Sequence, residues 1–334
     1  MYNKYQCIDL HETVFWSLLM TRRKVFTLDG GAGRAITAIP ALEKYAKAHP
    51  DEDWKIVIGG WDTLFFGNPL LQDRTFSMDV KGLFETVIKD SEIIHPEPYT
   101  QWAYYNQQCS LAEAFDKIIN QTEDHSDLGK PNMYLCKSEE KGAANALAGV
   151  KAKQNKDITI VIQPFGRSAR VDNGDIIDDS SRSIDPSVYQ RLVKKLSQKY
   201  NIIFMGEGEF IKEIEEEDTY SEKPQLPDLR AWSAIIEGCD YFIGCDSVGQ
   251  HIARAFDIPG TVILGSTFAE NISYPDWFQI IDDKKTEKRY SPIRICGFDN
   301  HLADRINDRL MDFDDKEITD IYTRIVKDIK EKVS

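Results

Sequence analysis

Short apolar runs alternate with helical patterns along the chain. The run Lys24–Leu28 precedes a glycine-rich turn, and in Arg34–His49 the apolar residues recur at the spacing of one helix face. A second apolar run, Trp54–Gly59, follows after a polar loop. A strand, a helix and another strand in this order predict a βαβ unit, whose right-handed crossover implies a parallel sheet.

The same alternation restarts in the second half of the chain. A long polar loop, Arg167–Ser183, follows the first strand predicted there, and loops of that length are usually functional. The strands are expected at Thr159–Gln163, Ile202–Met205, Tyr241–Gly244 and Thr261–Leu264, and the helices at Asp185–Tyr200, Phe210–Glu217 and Leu229–Cys239.

Length and pattern together predict two domains. A chain of 334 residues suits two α/β domains of roughly 150 residues each, and the lysine-rich stretch Lys151–Asp157 is the best candidate for a linker. We expect residues 1–150 to form the first domain and residues 157–312 the second. Residues 313–334 contain a stripe of isoleucines at helical spacing and predict a final helix.

Composition and charge narrow the class of protein. The net charge of −14 argues against broad electrostatic binding to nucleic acid or to an anionic membrane. The six cysteines include no C-x-x-C pair, which favours reduced thiols in a cytoplasmic protein. The apolar run Val14–Met20 is too short for a transmembrane segment, and its flanking charges are the reverse of those of a secretory signal.

The segment Tyr241–Thr267 contains the most specific pattern of the second half. Tyr241–Gly244 has strand character, and the small polar turn Asp246–Gly249 opens a helix with apolar residues at helical spacing. A second strand ends in the turn Gly265–Thr267. Such a unit directs backbone N–H groups and the positive end of a helix dipole to one spot beyond the strands. The segment therefore predicts a site for phosphate or diphosphate.

Two motifs carry a resemblance to a known family. The pattern D-S-x-x-x-H-x-A at Asp246–Ala253, with Gly-Ser-Thr after the next strand, is similar to the donor-binding signature of glycosyltransferase family 9, the bacterial heptosyltransferase family. Val248 stands where the family has Gly, and Ser266 where it has Pro. The segment Gly33–Leu42 resembles the first motif of the same family.

The resemblance covers most of the chain, is strongest over residues 157–280, and implies the α/β fold called GT-B. In this fold two Rossmann-like domains face each other across a cleft, here the acceptor-side domain first and the nucleotide-sugar-binding domain second. The helix Asp315–Val333 would pack back on the first domain. The implied enzyme is a heptosyltransferase-like transferase, inverting and independent of metal or cofactor, which moves a sugar from a nucleotide-diphosphate sugar to an acceptor hydroxyl.

The donor-binding residues that the resemblance and the turn chemistry imply lie in the second domain. They are Asp246, Ser247, Val248, Gly249, Gln250, His251 and Thr267 around the phosphate-binding turn, Arg167, Ser168 and Arg182 in the long loop, and Glu207 and Glu209 after the next strand. The arginines would neutralise the diphosphate, and the glutamates would hold ribose hydroxyls. Other interpretations stay open, because Asp and Ser also cap helices and any one of these charges can simply be solvated.

The residue that would take the acceptor's proton departs from the family's pattern. The family has Asp after the glycine of its first motif, where this chain has Arg34. A guanidinium stays protonated and cannot act as a base. Asp29 is the nearest carboxylate and is equally typical of a turn before two glycines. Arg34 could instead bind an anionic acceptor such as a phosphate, and Gly31 and Gly33 would lie on the acceptor side.

Other catalytic patterns are incomplete in this sequence. Asp51–Asp53 has the spacing of a metal-binding motif but precedes a strand, the wrong end for a site in a parallel sheet. Neither the nucleophile elbow G-x-S-x-G nor the dinucleotide fingerprint G-x-G-x-x-G is present. The six histidines show no spacing typical of metal ligands. We therefore expect no metal site.

Three alternatives stay open. A sugar-nucleotide-binding protein whose transferase activity has lapsed would account for Arg34 at the position of the acid. A sugar-nucleotide epimerase would act on the donor without an acceptor. A transferase could also use an acceptor other than lipopolysaccharide, such as a modified nucleobase, which keeps nucleic acid open as a partner. The sugar and the nucleotide stay open as well.

Overall fold

The structure is a computed structural model that describes residues 22–215, 220–226, 228–288 and 310–333. Its first sheet has four parallel strands in the order β3-β2-β1-β4. They are β1 Lys24–Leu28, β2 Trp54–Ile58, β3 Thr75–Ser77 and β4 Glu92–Ile94. The parallel pairing of β1 with β2 confirms the predicted βαβ unit.

Three helices belong to this sheet: α1 Ala32–Ala48, α2 Trp102–Tyr105 and α3 Leu111–Asn120. α1 begins directly after the glycine turn and packs one apolar face on β1, where Phe26, Ile36 and Ile39 are fully buried. Ser110 caps α3, because its side chain accepts a hydrogen bond from the Glu113 N–H.

The second sheet has five parallel strands in the order β11-β10-β9-β5-β8. A small antiparallel hairpin, β6-β7, lies between β5 and β8 along the chain. The hairpin lies inside the loop that the sequence pattern leaves without structure. The strands are β5 Thr159–Gln163, β6 Arg170–Asp172, β7 Asp175–Ile177, β8 Asn201–Phe204, β9 Tyr241–Gly244, β10 Gly260–Ile263 and β11 Gln279–Ile281. The central strands are buried on both faces, as their continuous apolar runs predict.

Helices cover both faces of the second sheet. They are α4 Lys137–Gln154, α5 Pro186–Leu196, α6 Gly208–Glu215, α7 Leu229–Glu237, α8 Val248–Ala255, α9 Ala269–Ile272 and α10 Asp315–Lys332. α4 comes before the predicted linker, yet it packs against α7, and Glu139 forms an ion pair with Arg230 at 2.5 Å. Among the described helices, none combines the length and the apolar character that spanning a bilayer requires.

The position of α10 corrects one prediction. The stripe that includes Ile318, Ile321 and Ile325 is buried in the core of the second sheet, not against the first domain. Polar contacts fix the same position, since the Tyr241 hydroxyl in β9 donates to the Asp328 carboxylate at 2.5 Å. The helix packs here because its isoleucines cover apolar side chains of the second sheet that would otherwise face water.

Hydrogen bonds between residues outside the strands join the two halves of the chain. The Asn271 side-chain amide donates to the carbonyls of Tyr104 and Cys109, both at 2.9 Å. Lys130 donates to the carbonyl of Ala255 at 3.0 Å. These bonds join residues more than 120 positions apart and hold the two parts of the molecule together around the predicted cleft.

Candidate functional site

The candidate site lies where the carboxyl ends of the two parallel sheets meet. β1 leads into the turn Asp29–Gly31, and β4 leads into His95–Glu97. From the second sheet, β5 leads into the long loop and β9 into Asp246–Ser247. Ligands of open α/β sheets bind at this edge of the strands.

The first turns of α1 and α8 contact each other directly. A Cβ atom on Gly33 would lie 2.9 Å from Cδ2 of His251 and 3.8 Å from Cα of Val248. A Cβ atom on Gly31 would lie 3.6 Å from Nη1 of Arg167. The two predicted acceptor-side glycines are therefore the points at which the first sheet's edge meets the predicted donor-binding residues.

His251 is buried and packed between these helices. Burial lowers the pKa of its imidazole to about 4, although the nearby Asp246 carboxylate acts in the opposite direction. Its Nδ1 lies 3.0 Å from the Tyr274 hydroxyl. An uncharged imidazole in this position supports the contact between the helices and adds no positive charge for a phosphate.

Gly249 does not offer its N–H to a phosphate, which corrects that prediction. The Gln163 side chain at the end of β5 accepts a hydrogen bond from this N–H at 2.7 Å. Glycine is required here for packing, because a Cβ atom would lie 2.7 Å from Cζ of Phe242. Gln250 is likewise turned inward, with a fully buried side chain.

Ser247 remains available at the start of α8. It occupies the cap position, but its side chain makes no capping hydrogen bond to the helix. The interpretation of Ser247 as a simple side-chain cap is therefore wrong. The residue is half-buried, as is Val248 beside it, and its hydroxyl lies at the strand edge where a ligand would bind.

An unpredicted residue, Asp178, organises the long loop. Its carboxylate accepts hydrogen bonds from the Ser183 N–H at 3.0 Å and from the hydroxyls of Ser180 at 2.5 Å and Ser168 at 3.0 Å. Burial raises the pKa of Asp178, but these hydrogen bonds and the charge of Arg182 outweigh it and lower the pKa below its usual range. Ser168 is therefore bonded within the loop, and its assignment to the donor stays a prediction.

Arg182 joins the long loop to the turn before α8. Its guanidinium lies 3.6 Å from the Asp246 carboxylate and donates to the Ser168 hydroxyl at 3.0 Å. Burial acts to lower the pKa of Arg182, but the charges of Asp246 and Asp178 raise it, so this side chain stays charged. Tyr99 of the first sheet's edge lies near enough to contribute to the same shift.

Arg167 is the exposed cation of the site. Its guanidinium reaches toward Gly31 across the junction, and it forms no ion pair with any residue that the structure describes. Glu207 and Glu209 are exposed beyond β8 and make no contact with these residues in the described ranges. Their assignment to the ribose stays a prediction.

The turn Gly265–Thr267 packs against the long loop. Any Cβ atom on Gly265 would overlap the carbonyl oxygen of Ser181, and Ser266 donates from its N–H to the same oxygen at 3.0 Å. The Thr267 hydroxyl is buried and has no hydrogen-bond partner within the described residues, and its assignment to the donor stays a prediction. Its carbonyl accepts from Lys288, which is paired with Asp282. Burial lowers the pKa of Lys288 and raises that of Asp282.

On the opposite edge, Arg34 is buried and engaged by the protein itself. Its guanidinium lies 3.0 Å from Asp29 Oδ1, donates to Glu97 Oε2 at 3.2 Å, and donates to the carbonyl of Pro96 at 2.9 Å. Only 3% of the side chain is exposed. The prediction that Arg34 binds an anionic acceptor is therefore wrong, since the guanidinium holds two carboxylates of the edge in place.

His95 and Glu97 join Asp29 at this edge, and sequence patterns did not identify them. Side-chain atoms of the three that could bind a metal lie within 4.8 Å of one another. Arg34 already supplies the positive charge between the carboxylates, which disfavours a metal cation there. In the sequence, the available signal was the position of these residues directly after an apolar run.

Solved structures of other proteins share this fold. A family 9 glycosyl transferase from Veillonella parvula is 12% identical, with 94% of this chain and 98% of that chain covered and a TM-score of 0.64. The E. coli ADP-heptose LPS heptosyltransferase II is 11% identical, with 93% and 100% covered and a TM-score of 0.63.

A dodecameric iron-containing glycosyltransferase, TibC, from enterotoxigenic E. coli is 12% identical, with 94% of this chain and 78% of that chain covered and a TM-score of 0.57. Another TibC structure contains ADP-D-β-D-heptose. The sequence itself matches no family model and no curated protein. The likeness confirms the predicted GT-B fold.

Proposed function

We propose that this protein is a glycosyltransferase that moves a sugar from a nucleotide-diphosphate sugar to an acceptor hydroxyl. The proposal depends mainly on one observation: the exposed guanidinium of Arg167 reaches the glycine turn that follows Asp29. A cation for the leaving phosphates and a carboxylate for the acceptor thus lie on opposite edges of one junction.

The donor side offers groups suited to a diphosphate. Arg167 provides a charge with no ion-pair partner in the described residues, and the hydroxyl of Ser247 provides a hydrogen bond. Arg182 keeps its charge but shares it with Asp246. The first turn of α8 adds about half a charge of the same sign. We assign the diphosphate to this edge and the sugar to the junction in front of it.

The acceptor side offers a carboxylate for the incoming hydroxyl. Arg34 holds Asp29 Oδ1, and half of the Asp29 side chain is exposed. In the proposed reaction, the acceptor oxygen attacks the anomeric carbon while the bond to the diphosphate breaks, and a base at the edge that includes Asp29 receives the acceptor's proton. Attack from the face opposite the leaving group inverts the anomeric centre. No metal takes part, because arginine stabilises the leaving group.

A second candidate is a sugar-nucleotide-binding protein without transfer activity. It is favoured by Arg34 at the position of the family's acid and by the Gly249 N–H, which Gln163 already occupies. The two candidates differ in turnover, since only a transferase releases the nucleoside diphosphate.

Nucleotide-sugar binding and turnover test the proposal. ADP-heptose, UDP-glucose and GDP-mannose would be screened by thermal shift and by release of the nucleoside diphosphate. For the donor that binds, Arg167→Ala should raise the Kd by about 10-fold or more, because a charge-assisted hydrogen bond is lost.

Arg170→Ala is the matched control for that substitution. Arg170 lies in the same loop, but its guanidinium is paired with Asp179 at 2.8 Å, so its removal should leave the Kd unchanged. Equal affinities of wild type and Arg167→Ala would contradict the assigned donor edge. Binding without release would favour the second candidate.

A further inference from the structure

The side chains of His95 and Asp29 lie beside each other, although the two residues follow different strands. His95 Nε2 is 3.7 Å from Asp29 Oδ2, and about half of each side chain is exposed. This separation is too long for a hydrogen bond between the two. A hydroxyl that donates to Nε2 over about 2.8 Å has its oxygen in front of the ring, beside the Asp29 carboxylate.

Neighbouring residues orient both side chains. Arg34 engages Oδ1 of Asp29, which leaves Oδ2 as the oxygen nearest His95. On the other side, Thr27 Oγ1 lies 3.0 Å from His95 Nδ1 and donates to the carbonyl of Ile94 at 3.4 Å. A hydroxyl has one proton, so Thr27 then accepts from the Nδ1–H. That tautomer leaves a lone pair on Nε2, facing Asp29.

We propose that the acceptor hydroxyl donates a hydrogen bond to His95 Nε2, which receives its proton, and that Asp29 Oδ2 lies beside this nitrogen to stabilise the positive charge that forms. This inference rests on the proposed function and assigns its base. The acceptor oxygen forms a bond to the anomeric carbon, its proton passes to Nε2, and the bonding pair of the broken carbon–oxygen bond leaves with the nucleoside diphosphate. Asp29 stabilises the resulting imidazolium, as a carboxylate does beside histidine in hydrolase triads.

The charges around the pair also restrict the acceptor. Among the described residues, the Asp29 and Glu97 carboxylates cluster with His95, the charge of Arg34 offsets one of them, and Arg167, which reaches Gly31, is assigned to the diphosphate. An anionic group next to the nucleophilic hydroxyl would be repelled by the remaining negative charge. We therefore assign to this edge an uncharged polyol, such as a sugar ring, rather than a phosphorylated acceptor.

The experiment measures donor binding and turnover separately in His95→Gln. Binding of the nucleotide sugar, followed by calorimetry, should match wild type, while release of the nucleoside diphosphate falls by about 100-fold or more, the usual effect of losing general-base catalysis.

Two further variants complete the test. Thr27→Val removes the hydroxyl that orients Nδ1 and should lower turnover less than His95→Gln. His49→Gln is the matched control, because His49 pairs with Glu52 at the far end of α1 and should leave turnover unchanged. Melting temperatures of all variants would confirm that they fold.

The outcomes separate this inference from the function it rests on. His95→Gln with wild-type turnover would overturn the inference and leave the transferase standing. A wild-type protein that binds a nucleotide sugar but never releases the diphosphate would overturn both. Faster turnover with phosphorylated than with uncharged acceptors would overturn the assigned acceptor class.

Discussion

Single residues decide what the acceptor-side edge can bind. Arg34 is buried, and its charge is neutralised by Asp29 and Glu97, which hold it through contacts of 3.0 and 3.2 Å. The ring of Tyr99 lies 5.4 Å from the same guanidinium. Arg34 thus has a structural role, and the carboxylates of Asp29 and Glu97 face the junction. Sequence position alone did not reveal this change of role, because it depends on Glu97 at the end of another strand.

His251 makes the stability of the protein depend on pH. Its pKa is about 4 in the folded protein, against about 6.5 in an unfolded chain, so the unfolded state binds the proton more readily. Above pH 6.5 the imidazole is neutral in both states, so its protonation does not lower the free energy of unfolding. As the pH falls toward 4, protonation of the unfolded state lowers that free energy. Between pH 7 and pH 5 the free energy of unfolding should fall by about 2 kcal/mol through this group.

Urea titrations of wild type and His251→Gln at both pH values would measure this loss. The variant should be less stable at pH 7 but should lack most of the pH dependence in this window. His49→Gln, which removes a histidine whose side chain is 34% exposed, should keep most of the wild-type slope. A slope in His251→Gln equal to that of wild type would show that the imidazole is not held neutral.

At the scale of elements, the sequence was informative where periodicity decides the structure. The strand and helix of Lys24–Ala48 and the strand–turn–helix unit from Tyr241 occur as the apolar spacing predicts. The hydrogen bond that the Gly249 N–H donates to Gln163 could not be predicted from periodicity, since it joins residues 86 positions apart. The hairpin β6-β7 was missed because its strands are three residues long, mostly exposed, and have little apolar pattern.

The docking of α10 leads to a prediction at this scale. Ile325 is completely buried against the second sheet, so Ile325→Ala should lower the free energy of unfolding by about 2–5 kcal/mol. Ile93→Ala is the control, because that side chain is 56% exposed and its loss should cost less than about 0.5 kcal/mol. Chemical denaturation measures both. Equal effects would show that α10 does not cover this core.

At the scale of the whole molecule, polar bonds join the two sheets around the candidate site. Asn271 is buried and donates to two carbonyls of the opposite part of the chain, those of Tyr104 and Cys109. The predicted domain limits remain to be tested, and the packing of α4 on α7 bears on where the first domain ends. Although the net charge of the chain is −14, the exposed Arg167 provides a positive charge on the donor edge.

Asn271→Ala should weaken this junction. Two buried carbonyls lose their donor, which costs about 1–3 kcal/mol in the free energy of unfolding. Asn106→Ala is the matched control: its amide donates to the Trp102 carbonyl within one exposed turn, and its removal should change stability by less than about 0.5 kcal/mol. Hydrogen exchange of the amides around residues 104–109 would show whether loosening is confined to the junction.

The contact at Gly33 sets a mechanical limit on movement between the two halves. Only a hydrogen atom on Gly33 separates the backbone of α1 from the His251 ring, where even a methyl carbon would lie 2.9 Å away. Closer approach of the two halves at this contact would therefore require the His251 ring to move.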